Sequence, residues 1–407
     1  MAAPIPDSSR APARRMEMTC GWRRFSAIGD TSEAAPAVKG VRGPMASRGS
    51  PAMTRILTFD PGCRLLVFAP HPDDETIATG ELIQLALAAG GAVRVVFATD
   101  GDNNPWPQRW TERRWRIDAR DRERWGARRR AEALAALSAL GVPAGSARFL
   151  GWPDLGLTHE LENAAAIDTL AAEVAAFAPT HVAMPSLRDT HPDHGALRVM
   201  GELALAKAGS RCTGLGYAVH GRDADAGAWL LPRDRERHAR KREALMAHAS
   251  QVSLSRRRLL RWASAPESFE HIEPRSSAAR PRIEGSVLTI PLSPPHRFWR
   301  RHDVLVLLAD GDTLAHVRVA LPRVVRGTHH VLARGACGGR VTIELADGML
   351  RIVCAPGDFQ GYVKLERSAP RLFIFDVETW RSFADFPDAP PHAARVETVA
   401  VPQRASP

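Results

Sequence analysis

The sequence predicts an α/β protein whose mainly parallel sheet is covered by helices on both faces, followed by a smaller all-β region of sandwich type. Between residues 64 and 249, short apolar runs of strand length alternate with longer runs of helical spacing. Beyond about residue 275 the helical spacing stops, and short β-type runs follow one another across Gly, Asp and Pro turns. Each element can be justified in order. RLLVFAP (64–70) reads as a buried strand, and DDETIATGELIQLALAAGG (73–91) as a helix that halts at Gly-Gly. AVRVVFATDG (92–101), ARFLGW (147–152), HVAMPS (181–186) and TGLGYAVHG (213–221) supply further strands. Helices are expected over 127–141, 163–177, 194–207 and 233–249. In the last part SVLTIPL, DVLVLLADG, HVRVALP, HHVLARG, RVTIELADG, MLRIVCAPG and YVKLER are seven strand-like runs.

At 407 residues the chain exceeds the usual size of one hydrophobic core. The expected organisation is a disordered basic tail (1–55), an α/β domain (56–275), a separate all-β accessory domain (280–385) and a flexible tail (386–407). Residues 1–52 hold eight Arg/Lys against four Asp/Glu and no apolar secretion signal. They read as a tail or as the product of an upstream false start, with Met53 as the true first residue. No run of eighteen apolar residues occurs, so no membrane span is expected. The five cysteines show no CxxC spacing, which argues against a disulfide framework or a cysteine zinc site and for a reducing cytoplasm. A net charge of +10 raises nucleic acid as a partner, but no nucleic-acid motif accompanies it. Much of the charge lies in Arg109 to Arg130, where ten arginines and four acids occur near Trp106, Trp110, Trp115 and Trp125. That segment follows the second strand and reads either as a lid for an anionic or elongated glycan or as a solvated helix with core tryptophans.

Two motifs carry chemistry. APHPDDET (69–76) runs from the end of the first strand into a helix, so that His71 and Asp74 can address one cation while Asp73 faces elsewhere. The bland alternative makes both aspartates helix caps. SLRDTHPDHGAL (186–197) repeats the placement at another strand end, with His191, Asp193 and His194. In a parallel sheet both motifs reach the same edge, and a third nitrogen ligand becomes available to the His71/Asp74 pair. Three protein ligands and an open position are the signature of a catalytic metal, expected to be one Zn2+ per chain, with Fe2+ or Mn2+ as alternatives for such a donor set.

The chain resembles the PIG-L / LmbE-like zinc deacetylases over about residues 62–272. The carriers are APHPDDE (69–75), TDGD (99–102), Arg129 and Glu132 in ARRRAEALAALSALG, FLGWPD (149–154), HPDH (191–194) and KREALMAHASQ (241–251). The resemblance implies a Rossmann-like fold, hydrolysis of an N-acetyl group on a glucosamine-containing substrate, zinc on His71, Asp74 and His194, a base at Asp73 and an oxyanion-stabilising His191. Zinc would activate water and polarise the acetyl carbonyl, and His191 as an imidazolium would face the oxyanion. Either Asp73 or His191 could then protonate the departing amine. Asp193 is expected to orient a neighbouring histidine or to cap the helix, and Asp154 to hold His191 or a substrate hydroxyl or to be a plain turn carboxylate. Arg129 is expected to pair within its helix with Glu132 or to meet substrate. Asp100 and Asp102 would contact sugar hydroxyls or simply form a turn. The other readings are an amidase of a thiol conjugate or acylated natural product, a glycan-binding protein with a silent metal site, and a basic nucleic-acid-associated protein.

Overall fold

The computed structural model describes residues 55–220 and 229–272, the strands between 287 and 367, and residues 375–376 and 379–383. The expected tails, 1–55 and 386–407, lie outside these residues apart from Arg55.

The chain begins with β1 (Arg55–Ile56), β2 (Arg64–Ala69), α1 (Asp74–Ala88), β3 (Ala92–Thr99), α2 (Pro105–Glu112), α3 (Ala119–Ala139) and β4 (Ala147–Trp152). It continues through α4 (Leu157–Glu160), α5 (Ala164–Phe177), β5 (His181–Pro185), α6 (Pro192–Lys207) and β6 (Thr213–Tyr217). The α/β part closes with β7 (Trp229–Leu230), α7 (Arg235–Ala247), α8 (Ala249–Ala263) and β8 (Ser268–Ile272). One eight-stranded sheet results, in the order β1-β7-β8-β6-β5-β2-β3-β4. Five successive strands, β6-β5-β2-β3-β4, are parallel and end at the β4 edge, while β8 runs antiparallel beside β6.

Period-two alternation explains the layers. Leu66 and Phe68 of β2 pack with α5 and α6 side chains such as Leu170, Val174 and Met200. Leu65, Val67 and Ala69 turn to the other face, against Leu82 and Ile83 of α1 and Leu137 of α3. The strand order reverses direction between β2 and β5, and the ends of these two strands carry the two histidine motifs. A crevice at such a reversal is where open α/β sheets bind ligands.

The Arg/Trp segment is two helices. Asp118 and Asp121 form a reciprocal capping box at the start of α3. Trp125 is buried, but Trp106, Trp110 and Trp115 are 57%, 65% and 74% exposed, so the segment fits neither sequence reading completely.

The later residues form two four-stranded antiparallel sheets. One comprises β10 (His302–Asp310), β11 (Thr313–Leu321), β15 (Gln360–Arg367) and β16 (Arg381–Ser382). The other comprises β9 (Val287–Pro291), β12 (His329–Arg334), β13 (Arg340–Ala346) and β14 (Met349–Cys354). The sequence treats this region as separate, yet Leu305, Leu307, Tyr362 and Trp380 share one apolar cluster with Leu197 and Met200 of α6. Tyr362 also donates its hydroxyl hydrogen to Glu202 of α6, at 2.5 Å. A side chain at Gly195 would place its Cβ 2.9 Å from Trp380, so glycine there allows the tryptophan to seat on α6. The shared core is invisible to sequence periodicity, which reports that a face is apolar but not what covers it.

This shared core predicts that Trp380→Ala destabilises the α/β part as well, by about 3–5 kcal/mol. Urea titration followed by tryptophan fluorescence and far-UV circular dichroism should show one coincident, earlier transition. Two separate transitions, with only one displaced, would count against a shared core.

Candidate metal centre

The loop after β2 places His71, Asp73 and Asp74 at the start of α1. Asp73 occupies the N-cap position without making a side-chain cap, and its φ of 136° is a conformation that non-glycine residues rarely adopt. Three bonds hold this turn. The Asp73 amide donates to Glu75 Oε2 (2.9 Å), Arg129 Nη2 donates to the Pro72 carbonyl (2.5 Å), and Arg129 Nη1 donates to the Gly101 carbonyl (2.6 Å). Arg129 Nη2 also lies 3.2 Å from Asp73 Oδ1. The guanidinium is therefore a buried brace that ties the β2 and β3 loops together. Gly101, at φ +63°, leaves room for it, since a Cβ there would lie 1.7 Å from Nη1. Glu132 takes no part with Arg129, and instead accepts from the Ser250 amide and hydroxyl at 3.0 and 2.5 Å and from Arg128. The expected Arg129–Glu132 pair is replaced by these contacts. Asp100, offered as a sugar ligand, pairs with Arg130.

Three polar atoms converge in the crevice. Asp74 Oδ2 lies 3.1 Å from His71 Nδ1 and 3.2 Å from His194 Nε2. It also accepts the His71 amide hydrogen at 3.0 Å. Two atoms bound to one ion at about 2.1 Å stand about 3.4 Å apart at the tetrahedral angle, so these separations suit a shared zinc. His194 Nε2 is buried and has no hydrogen-bond partner despite its closeness to Asp74, meaning that the two are misaligned for a hydrogen bond. Its other nitrogen, Nδ1, is engaged by Asp189 Oδ2 at 2.9 Å. Such an arrangement fixes the ring and leaves one lone pair aimed at a cation. The donor atoms of His71, His191 and His194 also lie within 4.8 Å of one another, which brings His191 to the rim of the same site.

The surrounding carboxylates correct two expectations. Asp154 Oδ1 lies 3.2 Å from His71 Nε2, so it holds His71 and not His191, while its Oδ2 accepts the Asn103 amide hydrogen at 2.7 Å. Asp193 Oδ2 lies 3.3 Å from the same His71 nitrogen and accepts from Leu155 N at 2.7 Å. Asp193 is thus an orienting partner of His71, as one sequence reading held. The N-cap of α6 is instead His191, whose Nδ1 accepts from the Asp193 amide at 3.3 Å. Asp102 has a carboxyl raised by burial, then by Asp154, and no substrate role follows from its placement.

The electrostatics follow from burial. Burial alone would lower His194, but Asp189 and Asp74 overcome it and raise this imidazole to about 10. His71 is likewise raised well above its ordinary value, because Asp154, Asp193 and Asp74 outweigh desolvation. Asp74 is held well below the usual carboxylate range by His194 and His71, against its own burial. Asp73 moves the other way: burial raises it, and Arg129 offsets only part of the shift. His191 is pushed far down by burial and by His71, His194 and His220. This favours the neutral ring over the expected imidazolium, and since Nδ1 accepts from the Asp193 amide, Nε2 is the nitrogen left to carry a proton.

Three participants escaped the sequence reading. Asp189 accepts from His194 and from the Val219 and His220 amides at 2.8 and 3.0 Å, joining the β5 and β6 loops. The His220 ring meets that of His194 edge-on, with centroids 5.0 Å apart. His248 Nε2 lies 3.1 Å from Glu75 Oε1, beneath the Asp73 turn. Each sits inside a segment quoted above, but a lone Asp or His at a strand end carries no spacing signal.

Two outcomes are expected. His194→Ala should lower zinc content at equilibrium by at least about tenfold, measured by mass spectrometry after dialysis against a metal buffer; undiminished zinc would remove His194 from the ligand set. In the metal-free protein, folding raises His194 from 6.5 to about 10. A raised pKa contributes stability that is present in full below the unfolded value and is lost as pH rises through the folded one. Urea midpoints of chelated protein should therefore fall from about pH 6.5 to about pH 10, while zinc affinity rises over the same range as the competing proton leaves. Equal midpoints across that window would contradict the charged His194.

Residues 66–206 match the family described as PIG-L: GlcNAc-PI de-N-acetylase. The chain is 31% identical over 202 residues to the 1D-myo-inositol 2-acetamido-2-deoxy-alpha-D-glucopyranoside deacetylase of Mycobacterium sp. (strain KMS), covering 46% of this chain and 62% of that one. It is 34% identical over 162 residues to the enzyme of the same name from Mycobacterium sp. (strain JLS), covering 36% and 49%. The chain thus spans less than two thirds of the length of these curated relatives. Among solved structures, N,N'-diacetylchitobiose deacetylase from Pyrococcus horikoshii covers 52% of this chain and 84% of its own, at 18% identity and a TM-score of 0.42. What the chain is similar to, over residues 66–206, is the domain of the PIG-L family.

Proposed function

We propose that this protein is a zinc-dependent N-deacetylase of an N-acetylglucosamine-containing compound, with the metal on His71, Asp74 and His194. The observation that carries the proposal is the buried, partnerless Nε2 of His194 lying 3.2 Å from Asp74 Oδ2 while Asp189 fixes the opposite face of the ring. The substrate class follows the activities for which the relatives are named. Zinc would supply a water of lowered pKa and polarise the acetyl carbonyl.

The protein's own groups do the rest. Asp73, raised by burial and held by Arg129, accepts the proton of the attacking water. Neutral His191, with Nδ1 occupied by the Asp193 amide, presents an Nε2–H donor to the oxygen of the tetrahedral intermediate. That ring has a single proton, and it is committed to the oxyanion, so Asp73 returns its proton to the departing amine nitrogen. Asp154 and Asp193 accept from His71 Nε2 and keep its Nδ1 directed at Asp74. Two imidazoles and a carboxylate also accommodate Fe2+ or Mn2+, and zinc is the metal proposed. Among the described residues no helix is long and apolar enough to cross a membrane. The proposal includes a cytoplasmic location, supported by the buried free thiols Cys63 and Cys212.

Acetate release from N-acetylglucosamine compounds by the full-length, zinc-loaded protein tests this reading. Activity should vanish with chelation and return with zinc. Asp73→Asn should reduce kcat on the order of 10²–10⁴-fold while zinc content is unchanged. A wild-type rate in that variant would remove the base, and the absence of acetate from any such compound would remove the function.

A further inference from the structure

The α/β part does not build the whole rim of the crevice. Phe375, contributed by the C-terminal part, is 45% exposed, yet its ring centroid lies 5.2 Å from that of His220 and 6.2 Å from that of His191. On its other side the His220 ring meets Trp262 of α8 edge-on, at 5.3 Å. The rings of Trp262, His220, Phe375 and His191 therefore form a continuous wall that ends at the proposed oxyanion donor.

Phe375 is not a loosely draped residue. The next amide, Asp376 N, donates to the Thr190 carbonyl at 2.8 Å, within the second histidine motif. The Asp376 carboxylate pairs at 2.5 Å with Lys364 Nζ, a lysine of β15 that is 1% exposed and lies 5.8 Å from the Trp380 ring centroid. A fully buried ammonium is costly unless paired, so the Lys364–Asp376 ion pair pins this segment where β15 and α6 meet. An anchored backbone that holds a half-exposed phenyl ring over two active-edge histidines has little to gain for stability, because that ring leaves almost half its surface in water. It presents a flat apolar face beside the position of the reacting amide.

We infer that Phe375 is a specificity-determining residue, on which the carbon-rich face of the substrate's pyranose ring packs while its acetamido group reaches His191 and Asp73. The inference rests on the deacetylase reading for the orientation of the sugar. It adds that the C-terminal part completes the substrate site and does not merely accompany it.

The probe is methyl glucosaminide, which retains the ring and has no acetyl group to hydrolyse, titrated into full-length zinc-loaded protein and followed by saturation-transfer NMR. Wild type should bind it with saturation strongest on the protons of one ring face. Phe375→Ala should weaken binding about three- to tenfold, the range that one aromatic contact supplies, and Phe375→Tyr should restore it. Zinc content and the melting temperature should not move in either variant, because the ring is half-exposed and binds no metal. On the acetylated compound, Phe375→Ala should raise KM by the same factor and leave kcat within about twofold, as loss of uniform binding requires. Equal affinity in Phe375→Ala, or no binding by wild type, overturns the inference. Phe375-dependent binding without any acetate release would leave this inference standing and sink the deacetylase reading, whereas acetate release with Phe375→Ala indistinguishable from wild type would do the reverse.

Discussion

The structure depends on one buried juxtaposition, the carboxylate of Asp74 set between the imidazoles of His71 and His194. Placing these groups out of water is unfavourable unless every charge and lone pair finds a partner. Three further carboxylates and two backbone amides answer that demand. Asp154 and Asp193 take the far nitrogen of His71, Asp189 takes the far nitrogen of His194, and the Leu155 and Leu157 amides complete Asp193. What remains is one imidazole nitrogen with no hydrogen-bond partner beside a strongly acidic carboxylate. A divalent cation satisfies that remainder, and a proton on His194 does so only at the cost of the ligand.

Topology supplies the juxtaposition. The sheet reverses its winding between β2 and β5, and the two loops that leave these strands diverge over a crevice. Each loop then enters a helix immediately, so α1 and α6 begin within three residues of the proposed ligands and hold them on rigid elements. The strain at Asp73 is tolerated because Glu75, Arg129 and the Gly101 turn determine the local backbone from three directions. A flexible loop would relax that conformation and turn the proposed base away. The same logic extends to the C-terminal part, which shares a core with α6 and thereby becomes able to present Phe375 at a fixed height over the crevice.

Much of this was legible in the sequence for physical reasons. Parallel strands announce themselves as short apolar runs, and HPDD and HPDH at strand ends had to meet if their strands shared one sheet. The partners of those motifs were less legible. Asp154 was expected at His191, at a substrate hydroxyl or in a plain turn, and lies beside His71, because sequence places a carboxylate on an edge without saying which neighbour it faces. His191 was expected to be charged, while burial and three nearby histidines favour the neutral form. Asp189, His220 and His248 act through contacts of long sequence separation, which no local spacing encodes. The contact between the all-β region and α6 was illegible for a related reason: periodicity marks the faces of β10 and β15 as apolar without naming the helix that packs on them.

The most direct measurement of the central claim is X-ray absorption at the zinc edge of the full-length, stoichiometrically loaded protein. The account predicts a first shell of about four nitrogen and oxygen atoms at about 2.0–2.1 Å, with multiple scattering from two imidazoles and no sulfur. Scattering from three imidazoles would bring His191 into the ligand set and remove its role as a hydrogen-bond donor. A hydrated ion with no imidazole signal would contradict the site altogether.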